Sequence, residues 1–183
     1  MDQAENPIVI TSTTSTNLFT TPGAVQSTFG GGLDAYLFRL DPLLTTMSWA
    51  TYYGGSGNDA GFGVQISSTG EIYATGGTQS ADLLMAGTPA SGALAGQVDG
   101  FIARFSADGS TLLSSTYLGT TEFDQSYFVQ LDTQDDVYVV GQTAGNFPIT
   151  PGKYNNANGS QFIQKFSTDL STSIWSTHRK YRC

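Results

Sequence analysis

Asp99-Gly-Phe-Ile-Ala-Arg-Phe-Ser106 decides how this chain reads, because the same phrase is written three times. It stands earlier as Asp34-Ala-Tyr-Leu-Phe-Arg-Leu-Asp41, 65 positions before, and later as Ser160-Gln-Phe-Ile-Gln-Lys-Phe-Ser167, 61 positions after. Each copy carries an aromatic, an aliphatic, a variable position, a basic residue and an apolar one. The segment downstream of each copy also repeats: Trp49-Ala-Thr-Tyr52, Ser114-Ser-Thr-Tyr117 and Trp175-Ser-Thr-His178. A further segment, Val64-Gln-Ile66 then Glu71-Ile-Tyr-Ala-Thr-Gly76, returns as Val129-Gln-Leu131 then Asp136-Val-Tyr-Val-Val-Gly141. Even the start takes part. Ile8-Val-Ile10, Thr14, Asn17 and Thr21-Pro22-Gly23 parallel Tyr138-Val-Val140, Thr143, Asn146 and Thr150-Pro151-Gly152. Separate segments that share one spacing define an internal repeat.

Each unit holds four short runs of β-rich or alternating composition, separated by turn residues. In the second unit these fall at about 62–67, 72–76, 101–105 and 112–118. Ser68-Thr69-Gly70 supplies a glycine for positive φ, and Asp108-Gly109 is a hairpin dipeptide between two strands. Four strands per unit make a small twisted antiparallel sheet that cannot bury both faces alone, so neighbouring sheets must stack face to face. Radial stacking of four-stranded sheets is a β-propeller. The expectation is therefore an all-β chain of about three blades: a partial one over 8–54 that lacks its inner strand, then whole ones over 60–119 and 125–178. Eleven strands do not close a ring, which points to a piece of a longer chain or to a ring completed by another copy. The tail 179–183 departs from the pattern. With His178 it reads as the product of a truncation or frame change.

Composition removes other classes. The 183 residues are 39% hydrophobic and 12% aromatic but only 12% charged, with 15 acidic and 7 basic side chains and a net charge of -8. That is too apolar and too sparsely charged for disorder. A chain of this charge repels nucleic acid unless its basic residues cluster, and three of the seven lie in the last five positions. Residues 1–7 carry two acids and no apolar run, so no secretory signal is read there. The stretch 83–98 is too short to cross a bilayer and is broken by Pro89 and glycines. Cys183 is the single cysteine and His178 the single histidine. A disulfide within the chain is excluded, a zinc-ribbon site lacks its four ligands, and a Ser-His-Asp arrangement would have to run through His178, which lies outside the regular pattern.

The runs Asp99-Gly-Phe-Ile-Ala-Arg-Phe, Ser115-Thr-Tyr-Leu-Gly119 and Asp136-Val-Tyr-Val-Val-Gly141 resemble the bacterial SBBP-type β-propeller repeat, as do Trp49-Ala-Thr-Tyr-Tyr-Gly-Gly55, Gly57-Asn-Asp59 and Ile72-Tyr-Ala-Thr-Gly76. The resemblance extends from about Ile8 to Thr177. It implies secreted or cell-surface propellers, often within multi-module bacterial proteins, and no catalytic residue. Ser160-Gln161 in place of Asp-Ala, and His178-Arg-Lys180 in place of Tyr-Leu-Gly, depart from the family pattern.

Several side chains are candidates for binding. Asp59 and Asp124 each fall five residues after a repeat glycine (Gly54, Gly119). They read as turn aspartates accepting backbone N–H bonds, or as a carboxylate ring for calcium or a ligand. Asp132, Asp135 and Asp136 form the densest acidic cluster. It reads as a solvated hairpin turn, since the glycine and distal glutamate of an EF-hand-like loop are absent. Arg39, Arg104 and Lys165 share one repeat position and are expected to lay their stems on apolar neighbours and pair with carboxylates. Trp49, Trp175, Tyr52 and Tyr117 are expected to fill space between sheets rather than to stack on sugars. Asn158-Gly-Ser160 is formally a glycosylation acceptor but reads as a turn.

These readings lead to a non-enzymatic module with no catalytic residue and no cofactor, calcium being the one ion with candidate ligands. Its partner is an unidentified protein or glycan, met through the variable connections 79–98 and 144–159. The competing expectation is a carbohydrate-active enzyme or lectin using paired carboxylates such as Asp59 and Asp124.

Overall fold

The computed structural model describes residues 1–2, 4–156 and 159–179. Among them there is no helix, and eleven strands form three antiparallel sheets. Sheet 1 has three strands in the order β1 (Ile8–Thr13), β2 (Asp34–Leu40), β3 (Met47–Tyr53). Sheet 2 has four: β4 (Asp59–Ile66), β5 (Ile72–Thr78), β6 (Asp99–Phe105) and β7 (Leu112–Leu118). Sheet 3 repeats this with β8 (Asp124–Leu131), β9 (Val137–Thr143), β10 (Gln161–Phe166) and β11 (Ser173–Arg179). The four segments expected in the second unit are all strands. Three of them begin or end two to three residues further out than the apolar runs suggest. For β4 the reason is local: the Asp59 N–H donates to Leu33 O, and Leu33 pairs in parallel with Asn58. Val98 and Phe123 repeat that bridge ahead of β8. Both inner strands carry a bulge, at Phe62 and at Tyr127.

Strand alternation gives each sheet two faces. The front carries the repeated cation, and the back carries the aromatic residues of the repeated phrase. The front of sheet 1 (Ala35, Leu37, Trp49, Tyr53) packs on the back of sheet 2 (Ile72, Ala74, Phe101, Phe105, Tyr117) in one continuous core. The front of sheet 2 (Tyr73, Ile102, Leu118) packs on the back of sheet 3 (Val129, Val139, Phe162, Phe166) in a second core. Sheet 2 is thus enclosed on both sides, which is why every residue of β5 is buried. Each large apolar side chain removed from water in this way contributes about 1.5–3 kcal/mol. The front of sheet 3 faces away from the stack.

The tight turn between the last two strands of each sheet shows how the interfaces are fitted. Leu44, Gly109 and Leu170 occupy one position in it, all at positive φ (58°, 72° and 62°). A Cβ on Gly109 would stand 1.9 Å from Cε2 of Trp49, whose Nε1 donates to Gly109 O at 2.7 Å. Only glycine admits that ring. Where Trp49 is replaced by its counterpart Ser114, Gly109 is replaced by its counterpart Leu170, which is fully buried. The two interfaces exchange a large-on-small pair for a small-on-large one.

The outermost strands would be open edges, a hazard for pairing with other chains. The long connections lie along them. Thr21 and Gln26 bond Ala50 O and the Tyr52 N–H on β3. Ala86 and Ser91 accept from the Ser115 and Tyr117 N–H groups on β7, and Thr150 donates to Ser176 O on β11. The described residues of the connections 79–98 and 144–159 are therefore pinned to the outer strands. Asn158 and residues 180–183, including Cys183, lie outside the described residues.

Candidate functional site

The carboxylates singled out in the sequence lie at the junctions between sheets. Asp59 heads β4 and is fully buried. Its Oδ2 accepts the Gly55 N–H (2.7 Å) and the Ser80 hydroxyl (2.7 Å), while Oδ1 accepts the Thr78 hydroxyl. Asp124 heads β8, is also fully buried, and accepts the Thr120 N–H (2.6 Å) and the Thr120 hydroxyl (2.7 Å) on Oδ2. Here the same two donor types reach the carboxylate from a single residue, Thr120. Gly55 and Ser80 have become Thr120 and Gly145, and a Cβ on Gly145 would stand 2.1 Å from the Thr120 hydroxyl oxygen.

Two further aspartates complete the junctions. Asp34 accepts the Gly30 N–H (2.7 Å) and Nε2 of Gln26 (3.1 Å). Asp99 accepts the N–H groups of Ala95 (2.6 Å) and Gly96 (3.1 Å). All four aspartates therefore cap the backbone four residues upstream, closing the loop that leads into a strand. Asp34 lies beside Asp59, and Asp99 beside Asp124. A Cβ on Gly54 would stand 2.6 Å from Oδ1 of Asp34 and 2.9 Å from Oδ2 of Asp59. On Gly119 it would stand 2.7 Å from Oδ1 of Asp99 and 3.2 Å from Oδ2 of Asp124. These glycines are required by close approach, not by turn geometry. Asp34 and Asp99 were not singled out in the sequence, although both open the repeated phrase; in the third copy Ser160 stands in their place.

Burial raises the pKa of Asp34 above the ordinary carboxyl value, and the Asp59 charge adds to this against the Gly30 N–H. Burial likewise raises Asp99, with the Asp124 charge adding. Oδ1 of Asp34 and Oδ1 of Asp124 are buried without a hydrogen-bond partner. The Asp59–Asp124 pairing expected for sugar chemistry is replaced by the pairs Asp34–Asp59 and Asp99–Asp124. All four carboxylates are wholly shielded from solvent, so as folded they present no oxygen to a polymeric substrate.

The acidic cluster of the β8–β9 turn is engaged rather than merely solvated. Asp132 and Asp136 each hold Nζ of Lys165 at 2.9 Å. This pushes the pKa of Lys165 above its usual range, the Asp136 contact contributing most. Asp135 accepts the N–H and the hydroxyl of Ser68, tying this turn to the equivalent turn of sheet 2. Arg104 makes the matching pair with Glu71 through two bonds of 2.9 Å, and Arg39 stands 3.6 Å from Asp2 while donating to Ala107 O. The repeated cation is thus a structural partner in every sheet, as the sequence suggests.

The oxygens of Asp132, Asp135 and Asp136 are bonded to Lys165, backbone N–H groups and Ser68. Among the described residues no group of three or more His, Cys, Asp or Glu side chains is placed to hold a metal ion. Millimolar calcium is expected to leave the melting temperature where sodium chloride of equal ionic strength leaves it. A calcium-specific rise of several degrees in a thermal scan would restore the metal reading.

A cavity of about 770 Å³ is lined by Thr120, Glu122, Gly145, Asn146, Gly159 and His178 among others. His178 occupies the position of Tyr117. The Tyr117 hydroxyl clamps the start of its connection, donating to Ser80 O at 2.8 Å and accepting the Leu83 N–H at 3.2 Å. The shorter imidazole does not reproduce this, and its Nε2 is buried without a partner. Burial lowers the pKa of His178, opposed by the Asp124 charge. At the earlier junctions the matching surface is covered by the next loop. Gly31 lies against Gly55 and Gly57, and Gly96 against Thr120 and Glu122. Among the described residues no loop covers the counterpart of those surfaces, where this cavity lies.

Compared with known proteins, the chain matches no family model and no curated protein. No helix among the described residues is long and apolar enough to cross a membrane.

Proposed function

We propose that this chain is a run of β-propeller blades of the SBBP repeat type, acting as a non-enzymatic scaffold in a bacterial secreted or cell-surface protein. The observation that carries the reading is the repeated front-to-back stacking of equivalent sheets, each joined to the next through the same buried aspartate pair. Such carboxylates hold loops in place. The front of sheet 3 supports a longer array: Phe128 is 63% exposed there, beside Val140, Ile163 and Trp175, at positions equivalent to those that sheet 2 buries against sheet 3. A further blade, of this chain or another copy, covers that face in the intact assembly.

Partners meet the outer rim. Phe19 and Leu84 hold equivalent places on two of the connections and are 56% and 40% exposed, and Tyr154 on the third is 67% exposed. Apolar tips on rigidly pinned connections suit protein or glycan contact. The test combines reducing-sugar release from a polysaccharide panel with glycan-array binding. The wild type is expected to release no sugar, and any array binding is expected to fall in the Phe19→Ala, Leu84→Ala, Tyr154→Ala triple variant at unchanged melting temperature. Sugar release that Asp59→Asn or Asp124→Asn abolishes, in protein still folded, would establish the competing hydrolase instead.

A further inference from the structure

Two pairs of buried carboxylates meet at the junctions with no cation beside them. A Cβ on Gly54 would stand 2.6 Å from Oδ1 of Asp34 and 2.9 Å from Oδ2 of Asp59, so both oxygens crowd one small space. Asp99 and Asp124 crowd Gly119 in the same way. All four side chains are fully buried. The titratable groups that face them are the hydroxyls of Tyr53 and Tyr117, the carboxylate of Asp82 and, beside Asp124, the imidazole of His178, whose cationic form burial disfavours. Glu122, on the loop that Asp124 closes, is exposed. Among the described residues Arg39, Arg104 and Lys165 ion-pair with Asp2, Glu71, Asp132 and Asp136, and with none of these four. Each pair also leaves one oxygen without a donor, Oδ1 of Asp34 and Oδ1 of Asp124. Two charges in so dry a space repel each other strongly, and one proton per pair removes the repulsion.

Each carboxylate closes a loop. Asp34 accepts the Gly30 N–H and the Gln26 amide at the end of the connection that carries Phe19. Asp59 accepts the Gly55 N–H and the hydroxyls of Thr78 and Ser80, at the start of the connection that carries Leu84. Asp99 accepts the Ala95 and Gly96 N–H groups at the other end of that connection, and Asp124 accepts the Thr120 N–H. The two members of a pair therefore hold different loops, and a charge on both pushes those loops apart. The connection 144–159 leads instead into Ser160, which has no carboxyl.

We propose that each pair, Asp34 with Asp59 and Asp99 with Asp124, binds a single proton as a unit, and that this proton is a latch. Bound, it holds the two loops of a junction together; released, it loosens them and the connections that carry Phe19 and Leu84. The latch acts on these two connections and not on 144–159. Because a pair titrates as one system, its step belongs to both residues and not to either alone. Burial, which raises the pKa of Asp34 and of Asp99, acts in the same direction. The inference rests on the carboxylate geometry and not on a scaffold role at the cell surface, so either one can fail alone.

The test follows the aspartate carboxyl carbons of the full chain by NMR from about pH 8 to about pH 4. Asp34 and Asp59 are expected to respond in one common step, and Asp34→Asn to remove that step while the step of Asp99 and Asp124 remains. Amide exchange is then compared, at equal pH, between the wild type and Asp34→Asn, in which the pair never carries two charges. Gly30 and Gly55 should exchange about fivefold or more faster in the wild type at neutral pH, and at equal rates once the pair is protonated. Asp99→Asn makes the same comparison at Ala95 and Thr120, and neither variant should alter exchange in the described residues of 144–159. Unlinked titrations of Asp34 and Asp59, a step that persists in Asp34→Asn, or equal exchange of variant and wild type at neutral pH would overturn the proposal. So would loss of the step in millimolar calcium, since a cation would then hold the charge between the carboxylates.

Discussion

Trp49→Ala is expected to lower the unfolding free energy by about 3–5 kcal/mol, read as a fall in the denaturant midpoint. Trp49 is 3% exposed, lies edge-on to Phe105 at 6.3 Å between ring centroids, and bonds the neighbouring sheet through Gly109 O. Truncation leaves a ring-sized void between two sheets whose backbones are held apart by the rest of the core. Gly109→Leu alone is expected to be about as damaging, because its Cβ would enter the space of the Trp49 ring. The second interface supplies the remedy, with serine where the tryptophan stands and leucine where the glycine stands. The pair Trp49→Ser with Gly109→Leu should therefore be more stable than the sum of the two single losses predicts, by about 1 kcal/mol or more in a double-mutant cycle. Additive losses would show that the matched volumes of the two interfaces are coincidental and that the sheets are not interchangeable units.

That exchange was visible in the sequence only as unexplained variation. Trp49 and Ser114 stand at one repeat position, as do Gly109 and Leu170, but which residues face each other across an interface is set by stacking, which strand periodicity does not encode. The strands themselves were legible because alternation and turn residues act locally. The carboxylates were legible in position but not in partner. Asp59 and Asp124 announce themselves by their distance from Gly54 and Gly119, whereas Asp34 and Asp99 are absorbed into the repeated phrase, where each opens a strand. A residue at a strand's first position reads as boundary chemistry. Only the bridges Leu33–Asn58 and Val98–Phe123 bring the two kinds of boundary side by side. The acidic turn was legible as a turn, but the cation it holds comes from the third strand of the sheet, 33 residues from Asp132 to Lys165. The connections 79–98 and 144–159 have the polarity of loops; the backbones of their described residues are nevertheless bonded to an outer strand.

The junction pairs should respond oppositely to removal of charge. Asp59→Asn is expected to cost about 3 kcal/mol, because its carboxylate accepts from Gly55, Ser80 and Thr78, and an amide nitrogen would face at least one donor in a site without water access. Asp34→Asn is expected to leave stability at neutral pH unchanged or slightly raised, since it removes a buried charge beside Asp59 while keeping one oxygen for the Gly30 N–H. The pH profile separates these effects from simple packing damage. Asp34 and Asp99 bind a proton more readily folded than unfolded, so each lowers stability at neutral pH, and that loss is relieved as the pH falls through the raised values toward 3.8. Below 3.8 other carboxyls act the opposite way. Asp108 is pushed down to about 2 by the Ser106 hydroxyl and the Ser110 N–H, and Asp41 is lowered by the Thr45 hydroxyl and the Thr46 N–H. The stability they supply is present above their unfolded value and is lost as they protonate. Stability should therefore peak on the acid side of neutrality, above 3.8, and Asp34→Asn combined with Asp99→Asn should flatten the rise between neutral pH and that peak. A wild-type profile that falls steadily from neutral pH downward would show that the buried pairs are not held against their own charge.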